Sequence, residues 1–219
     1  MKYEIKGGRS FSYIEAQLNP KESLITESGA MASMDTGLNL RSRMNGGFFA
    51  GLLIKFFGKE SFFVNTFTNE SSKPQSIMIT KNTPGQIACI QLNNEDLFIQ
   101  PGAFIAATAG ITFKLRWAGF ASFFAKEGLF RLKISGSGLV WVGAFGAIVE
   151  REIDGSYLVD TGHLLSYHQG IRLKLQLAGG LFSSFFGGEG FVLNLKGKGK
   201  ITLQTRSLDG LAGWLNPRF

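Results

Sequence analysis

Cysteine is almost missing from this sequence: Cys89 stands alone among 219 residues. That excludes an internal disulfide and fits a reducing compartment. Set in "QIACIQL" with no paired histidine, Cys89 reads as a small buried hydrophobe rather than a nucleophile. Charge is scarce as well, at 18% of residues against about 25% in ordinary domains. The uncharged stretches nevertheless stay short. The longest, Leu97–Phe113, runs 17 residues and is interrupted by Pro101, Gly102 and Gly110, too short and too broken for a spanning helix. The opening "MKYEIKGG" carries charge where a secretion signal needs an apolar core. No long amphipathic helix is legible; a turn or two inside "GGFFAGLLIKFF" is the one helical expectation. The chain is therefore expected to be cytoplasmic, soluble or peripheral at a membrane.

What the sequence does hold is glycine, 29 residues, and phenylalanine, 21, within a 44% hydrophobic composition. Many turns and large apolar groups, with few charges, point to extra buried surface such as a subunit interface. The net charge of +7 and pI near 9.6 favour anionic partners: nucleic acid, phospholipid headgroups or acidic proteins.

Self-similarity is the strongest signal. Segments 23–44, 96–117 and 156–177 each carry an apolar strand end and a polar residue (Glu27, Gln100, Asp160). Two positions on comes a glycine: Gly29, Gly102 or Gly162. A second glycine follows eight positions later, at Gly37, Gly110 and Gly170. The shared spacing predicts repeated backbone bends with positive φ, which side chains resist. Next comes a two-residue alternation, "LNLRSRM", "ITFKLRW" and "IRLKLQL", the pattern of a half-buried strand. A Phe-rich segment with one glutamate (Glu60, Glu127, Glu189) leads into a further apolar strand. The reading is an all-β chain: one domain of three tandem repeats, at about 1–85, 86–147 and 148–219, stacked around a pseudo-threefold axis.

"AQLNPKESLITESGAM", "GKESFFVNTFT", "PGAFIAATAG", "LVDTGHLLSY" and "LQTRSL" resemble the bacterial branch of the altered-inheritance-of-mitochondria AIM family, over essentially the whole chain. The resemblance implies repeated β-sandwich units of the kind seen in the trp RNA-binding attenuation protein, a TRAP-like fold. It implies no assigned activity, since a shared fold does not carry function; the fungal relative is linked to mitochondrial inner-membrane organisation. Where relatives show a Gly-x-Gly turn, "LKGKGKITLQTR" places lysines in the intervening positions.

The candidate sites follow from the repeats. The three glutamates could form an acidic ring, but each is expected to accept N–H bonds from its own glycine-rich loop. His163 and His168 lie five apart, a spacing that suits neither a helical nor a strand zinc pair, so they are expected to be structural. No partnered nucleophile stands out, and no cofactor or metal is expected. Four past each second glycine the residue is basic (Arg41, Lys114, Lys174), and two copies add Arg43 and Arg116. Offsets of four and six share a strand face. Each such face runs into phenylalanines: Phe48, Phe49, Phe56 and Phe57; Phe120, Phe123 and Phe124; Phe182, Phe185 and Phe186. These are expected at a core or subunit interface, with an anionic membrane surface as the alternative. Lys196, Lys198 and Lys200 are expected on one face of a solvated edge strand that discourages pairing; lacking aromatics for stacking, they argue against nucleic acid without excluding it. The expected role is a non-enzymatic structural or binding protein that self-associates. A membrane-associated scaffold and a small-ligand or nucleic-acid binder are the alternatives.

Overall fold

The computed structural model describes residues 1–44, 63–100, 102–117, 130–177 and 191–216. The expectations for Glu60, Glu127, Glu189, the ten phenylalanines and the helical turn in "GGFFAGLLIKFF" lie outside the described residues. Within them the protein is mostly β-strand, with two antiparallel sheets and one short helix.

The smaller sheet joins β1 (Lys2–Lys6), β2 (Tyr13–Leu18), β7 (Gln75–Ile79) and β4 (Met31–Met34), in the order β1-β2-β7-β4. The larger sheet contains β3 (Ser23–Glu27), β5 (Leu38–Met44), β6 (Phe63–Asn69), β8 (Ile87–Ile99), β9 (Phe104–Thr108) and β11 (Phe130–Gly143). It is completed by β12 (Ile148–Asp160), β13 (Leu164–His168) and β15 (Phe191–Gln204), in the order β12-β15-β13-β8-β11-β9-β3-β6-β5. β10 (Ile111–Trp117) pairs β11, and β14 (Ile171–Leu177) pairs β15. The three alternating segments picked out from sequence are β5, β10 and β14. Their leading residues Leu38, Ile111 and Ile171 are buried while Arg41, Lys114 and Lys174 face water, as a period of two requires.

The long strands bend at identifiable residues. β8 carries Asn94 at φ 60° where the register with β11 shifts, and β12 carries Gly155 at φ 112°. β11 holds Gly136 and Gly138 at φ 121° and 150°, and β15 holds Gly197 and Gly199 at φ 136° and 151°. Bulged and glycine-kinked strands turn from one packing surface to another. Three apolar clusters fill the space between. The first is built on Leu92, Leu97, Phe104 and Ile134, the second on Ile14, Leu18, Phe67 and Trp141, the third on Leu164, Leu193, Leu195 and Ile201.

Three expectations need correction. Of the six spaced glycines only Gly29, Gly102 and Gly170 have positive φ. The others serve close approach: a Cβ on Gly110 would lie 2.5 Å from the Ser137 carbonyl oxygen, and one on Gly162 would lie 2.6 Å from Ser207 Cβ. Second, β15 is not an edge strand, since β12 lies along one side and β13 and β14 along the other. Lys196, Lys198 and Lys200 are exposed from the inside of a sheet. Third, a helix stands where none was expected, α1 at Leu208–Leu215. Ser207 caps it, its hydroxyl accepting from Gly210 N, and Asp209 sits in the first turn. That start signal was legible; Gly210 and Gly213, poor helix formers, concealed it.

Candidate functional site

The basic residues predicted from sequence fall on hairpins, where strand register sets what each meets. Across β10 and β11, Lys114 stands opposite Lys133 and Arg116 opposite Arg131. Across β14 and β15, Arg172 stands opposite Lys196 and Lys174 opposite Asn194. Directly opposed residues share a face, so these cations crowd one another. Arg41 on β5 meets Thr66 and reaches Glu70 at 3.8 Å, while Arg43 stands opposite Val64.

Some of this charge is answered locally. Lys133 bridges Asp96 at 2.7 Å, and the Ser135 hydroxyl donates to the same carboxylate at 2.5 Å. Lys133 first, and Ser135 second, hold the Asp96 carboxyl below its ordinary range. The Arg131 guanidinium sits 5.9 Å from the centroid of the Tyr167 ring, which stacks on Phe98 at 5.0 Å. Lys198 pairs with Asp154 and Lys200 with Glu150. Lys114, Arg172, Lys174 and Lys196 have no ion pair among the described residues.

The two histidines stay apart in role. His163 Nδ1 lies 2.8 Å from the Gln204 carbonyl, and His168 Nδ1 lies 3.4 Å from a Glu95 carboxylate oxygen. Asp160 accepts from Gly162 N at 3.0 Å and so caps the 3-10 turn Thr161–His163. Among the described residues no three of His, Cys, Asp and Glu gather as metal ligands would. Cys89 is half-buried at the margin of the second core. Burial pushes its thiol up, and the Cys89 hydrogen bond together with burial pushes the Tyr3 phenol up to about 12.

A second feature gathers residues that the repeats marked and two that they did not. Glu27, Gln100, Gly102 and Gly162 line a pocket of about 390 Å³ together with Lys81 and Thr83. The Thr83 hydroxyl is buried there without a partner among the described residues. Lys81 Nζ donates to the Gly143 carbonyl at 2.6 Å. Burial pulls its ammonium down to about 8 from an ordinary 10.5, and Glu27 opposes that pull. Burial also raises the Glu27 carboxyl, with Lys81 opposing. Lys81 was missed because it lies between β7 and β8, outside the three aligned segments. Its only sequence signal is a lysine two positions past the apolar run "IMI".

This burial has a pH signature. The folded state releases the Lys81 proton near 8 and the unfolded chain near 10.5. Between those values the unfolded chain binds more protons, so the unfolding free energy rises with pH. Below pH 8 the penalty for burying the ammonium is fully present. Urea unfolding at pH 8 and pH 10 should show a gain on the order of 2 kcal/mol that Lys81→Met lacks. Parallel behaviour of the two proteins would contradict the buried-amine account.

Among the described residues no helix is long and apolar enough to cross a membrane. The family described as mitochondrial biogenesis AIM24 matches residues 3–206. An uncharacterized protein of Streptococcus pyogenes serotype M6, M6_Spy0233, is 26% identical over 224 residues, covering 98% of this chain and 90% of that protein. The crystal structure of protein SPYM3_0169 from Streptococcus pyogenes resembles this fold with a TM-score of 0.82 at 24% identity, over 100% of this chain and 99% of that one.

Proposed function

The chain belongs to the mitochondrial biogenesis AIM24 family, and from that premise we propose a non-enzymatic binding protein that docks its cationic hairpins on an anionic membrane surface. The carrying observation is the register: Lys114 against Lys133, Arg116 against Arg131 and Arg172 against Lys196. Like charges directly opposed across strands are destabilising, by about 0.2–1 kcal/mol a pair. A surface dense in negative charge reverses that sign, since each Lys or Arg near an anionic leaflet contributes about 1 kcal/mol.

The same pairing supports a chain of three tandem units. In the second, β8, β9 and β10 all pair with β11; in the third, β12, β13 and β14 all pair with β15. The first follows the scheme with its long strands broken in two, β2 and β3 against β7 and β6, with β4 on β7 and β5 on β6. The contact from β3 to β9 is matched by that from β8 to β13. Stacking of this kind repeats the hairpin, and so multiplies its charge on one molecule.

Co-sedimentation with vesicles tests the reading. The protein should bind phosphatidylcholine vesicles containing phosphatidylserine, not phosphatidylcholine alone, and salt should weaken the binding. Lys114→Gln with Lys174→Gln removes about 2 kcal/mol, roughly thirtyfold in partitioning. Equal binding to neutral vesicles sinks the proposal. A second reading, self-association, is favoured by β12: it ends the larger sheet, runs 13 residues, and leaves Tyr157 39% and Leu158 55% exposed. Long free edges are templates for pairing with another chain. A protein that ignores both kinds of vesicle yet scatters light as an oligomer decides for that reading.

A further inference from the structure

A cleft of about 780 Å³ lies between α1 and the backbone ladder that supports it. Its floor is firmly built. Arg206 N donates to the Phe145 carbonyl at 3.2 Å, Thr205 N to the Ala147 carbonyl at 3.1 Å, and Gln86 N to the Gly146 carbonyl at 2.8 Å. Gly146, at φ 83°, is required here twice over. Its backbone is left-handed, and a Cβ would stand 2.9 Å from Arg206 Cγ. The glycine therefore leaves room for the stem of Arg206, which lines the cleft. Arg9 lines the same cleft from the turn that Gly7 and Gly8 make with φ of 83° and 67°. The Ser12 hydroxyl ties that turn by donating to the Gly8 carbonyl at 2.6 Å.

The chemistry of the lining is one-sided. Among the described residues Arg9 and Arg206 have no ion pair, and no aspartate or glutamate lines the cleft. Leu211 and Trp214, 40% and 57% exposed and one helical step apart on α1, line the same cleft. Phe145 adds a third apolar surface. Guanidiniums suit a planar or tetrahedral oxyanion, and exposed apolar surface gains from covering. We infer that this cleft binds a single anionic amphiphile, its carboxylate or phosphate held by Arg9 and Arg206 and its hydrocarbon laid along Leu211 and Trp214. The inference stands on different residues from the hairpins.

Titration calorimetry on the whole protein, with dodecyl phosphate and dodecanoate below their micelle concentrations, tests it and separates the two oxyanions. At least one should bind saturably, while dodecyltrimethylammonium and inorganic phosphate should not. Arg9→Gln with Arg206→Gln should weaken binding at least tenfold, with the melting temperature unchanged because both side chains are exposed. Trp214→Phe should remove the change in tryptophan emission that accompanies binding. Lys114→Gln with Lys174→Gln should leave the affinity where it was, so failure of the hairpin reading and failure of this one are distinct. No saturable binding, equal affinity for the cationic amphiphile, or affinity that survives the loss of both arginines overturns the inference.

Discussion

Alanine at Gly197 lowers the unfolding free energy by about 3–5 kcal/mol, while alanine at Gly155 costs about 1–2 kcal/mol. Both glycines have φ in the left-handed half of the map, 136° and 112°, so both substitutions strain the backbone. Only at Gly197 is there also no room. There a Cβ would overlap the carbonyl oxygen of Gly170 and crowd Ile171 Cα at 3.2 Å, whereas nothing lies within 4 Å at Gly155. The obstruction is backbone held in a ladder, with Ile171 opposite Gly197, and cannot rotate away. Urea unfolding of the two variants measures the difference. Equal costs would mean that β14 shifts to make space and that the close approach is not a constraint.

The second large effect lies in the core. Trp141 is fully buried, its ring 4.9 Å from that of Tyr3 in an edge-on contact. Trp141→Ala leaves a cavity there and costs about 3–5 kcal/mol. Trp141→Phe should cost far less, about 1 kcal/mol or under. Among the described residues the buried indole N–H has no acceptor, so phenylalanine gives up packing area but also removes an unmet donor. A phenylalanine variant as unstable as the alanine one would show that the indole nitrogen is bonded in solution.

How much was legible follows from range. β5, β10 and β14 were read correctly because alternation is a local property: seven residues suffice to place Arg41, Lys114 and Lys174 on the outer face. Buried residues such as Leu38 and Ile171 then follow from parity. The shared glycines were read as shared bends, yet Gly37, Gly110 and Gly162 have ordinary φ. The need for glycine at Gly110 comes from Ser137, and at Gly162 from Ser207, partners remote in sequence. Spacing cannot tell a residue that must turn from one that must make room. Lys196, Lys198 and Lys200 were placed on one face correctly, but on an edge wrongly, since the neighbours of a strand are chosen by the whole sheet. Lys81 and the cleft of Arg9 and Arg206 were invisible for the same reason.

Sequence alone determined that this chain is β-rich, where its strands alternate, and which cations face outward, because those properties arise between residues a few positions apart. Tertiary structure decided which cations oppose each other, which lysine is buried and which arginines share a cleft. Those outcomes depend on register and on contacts between distant segments, and the free energy of a charge is set by what the fold brings beside it.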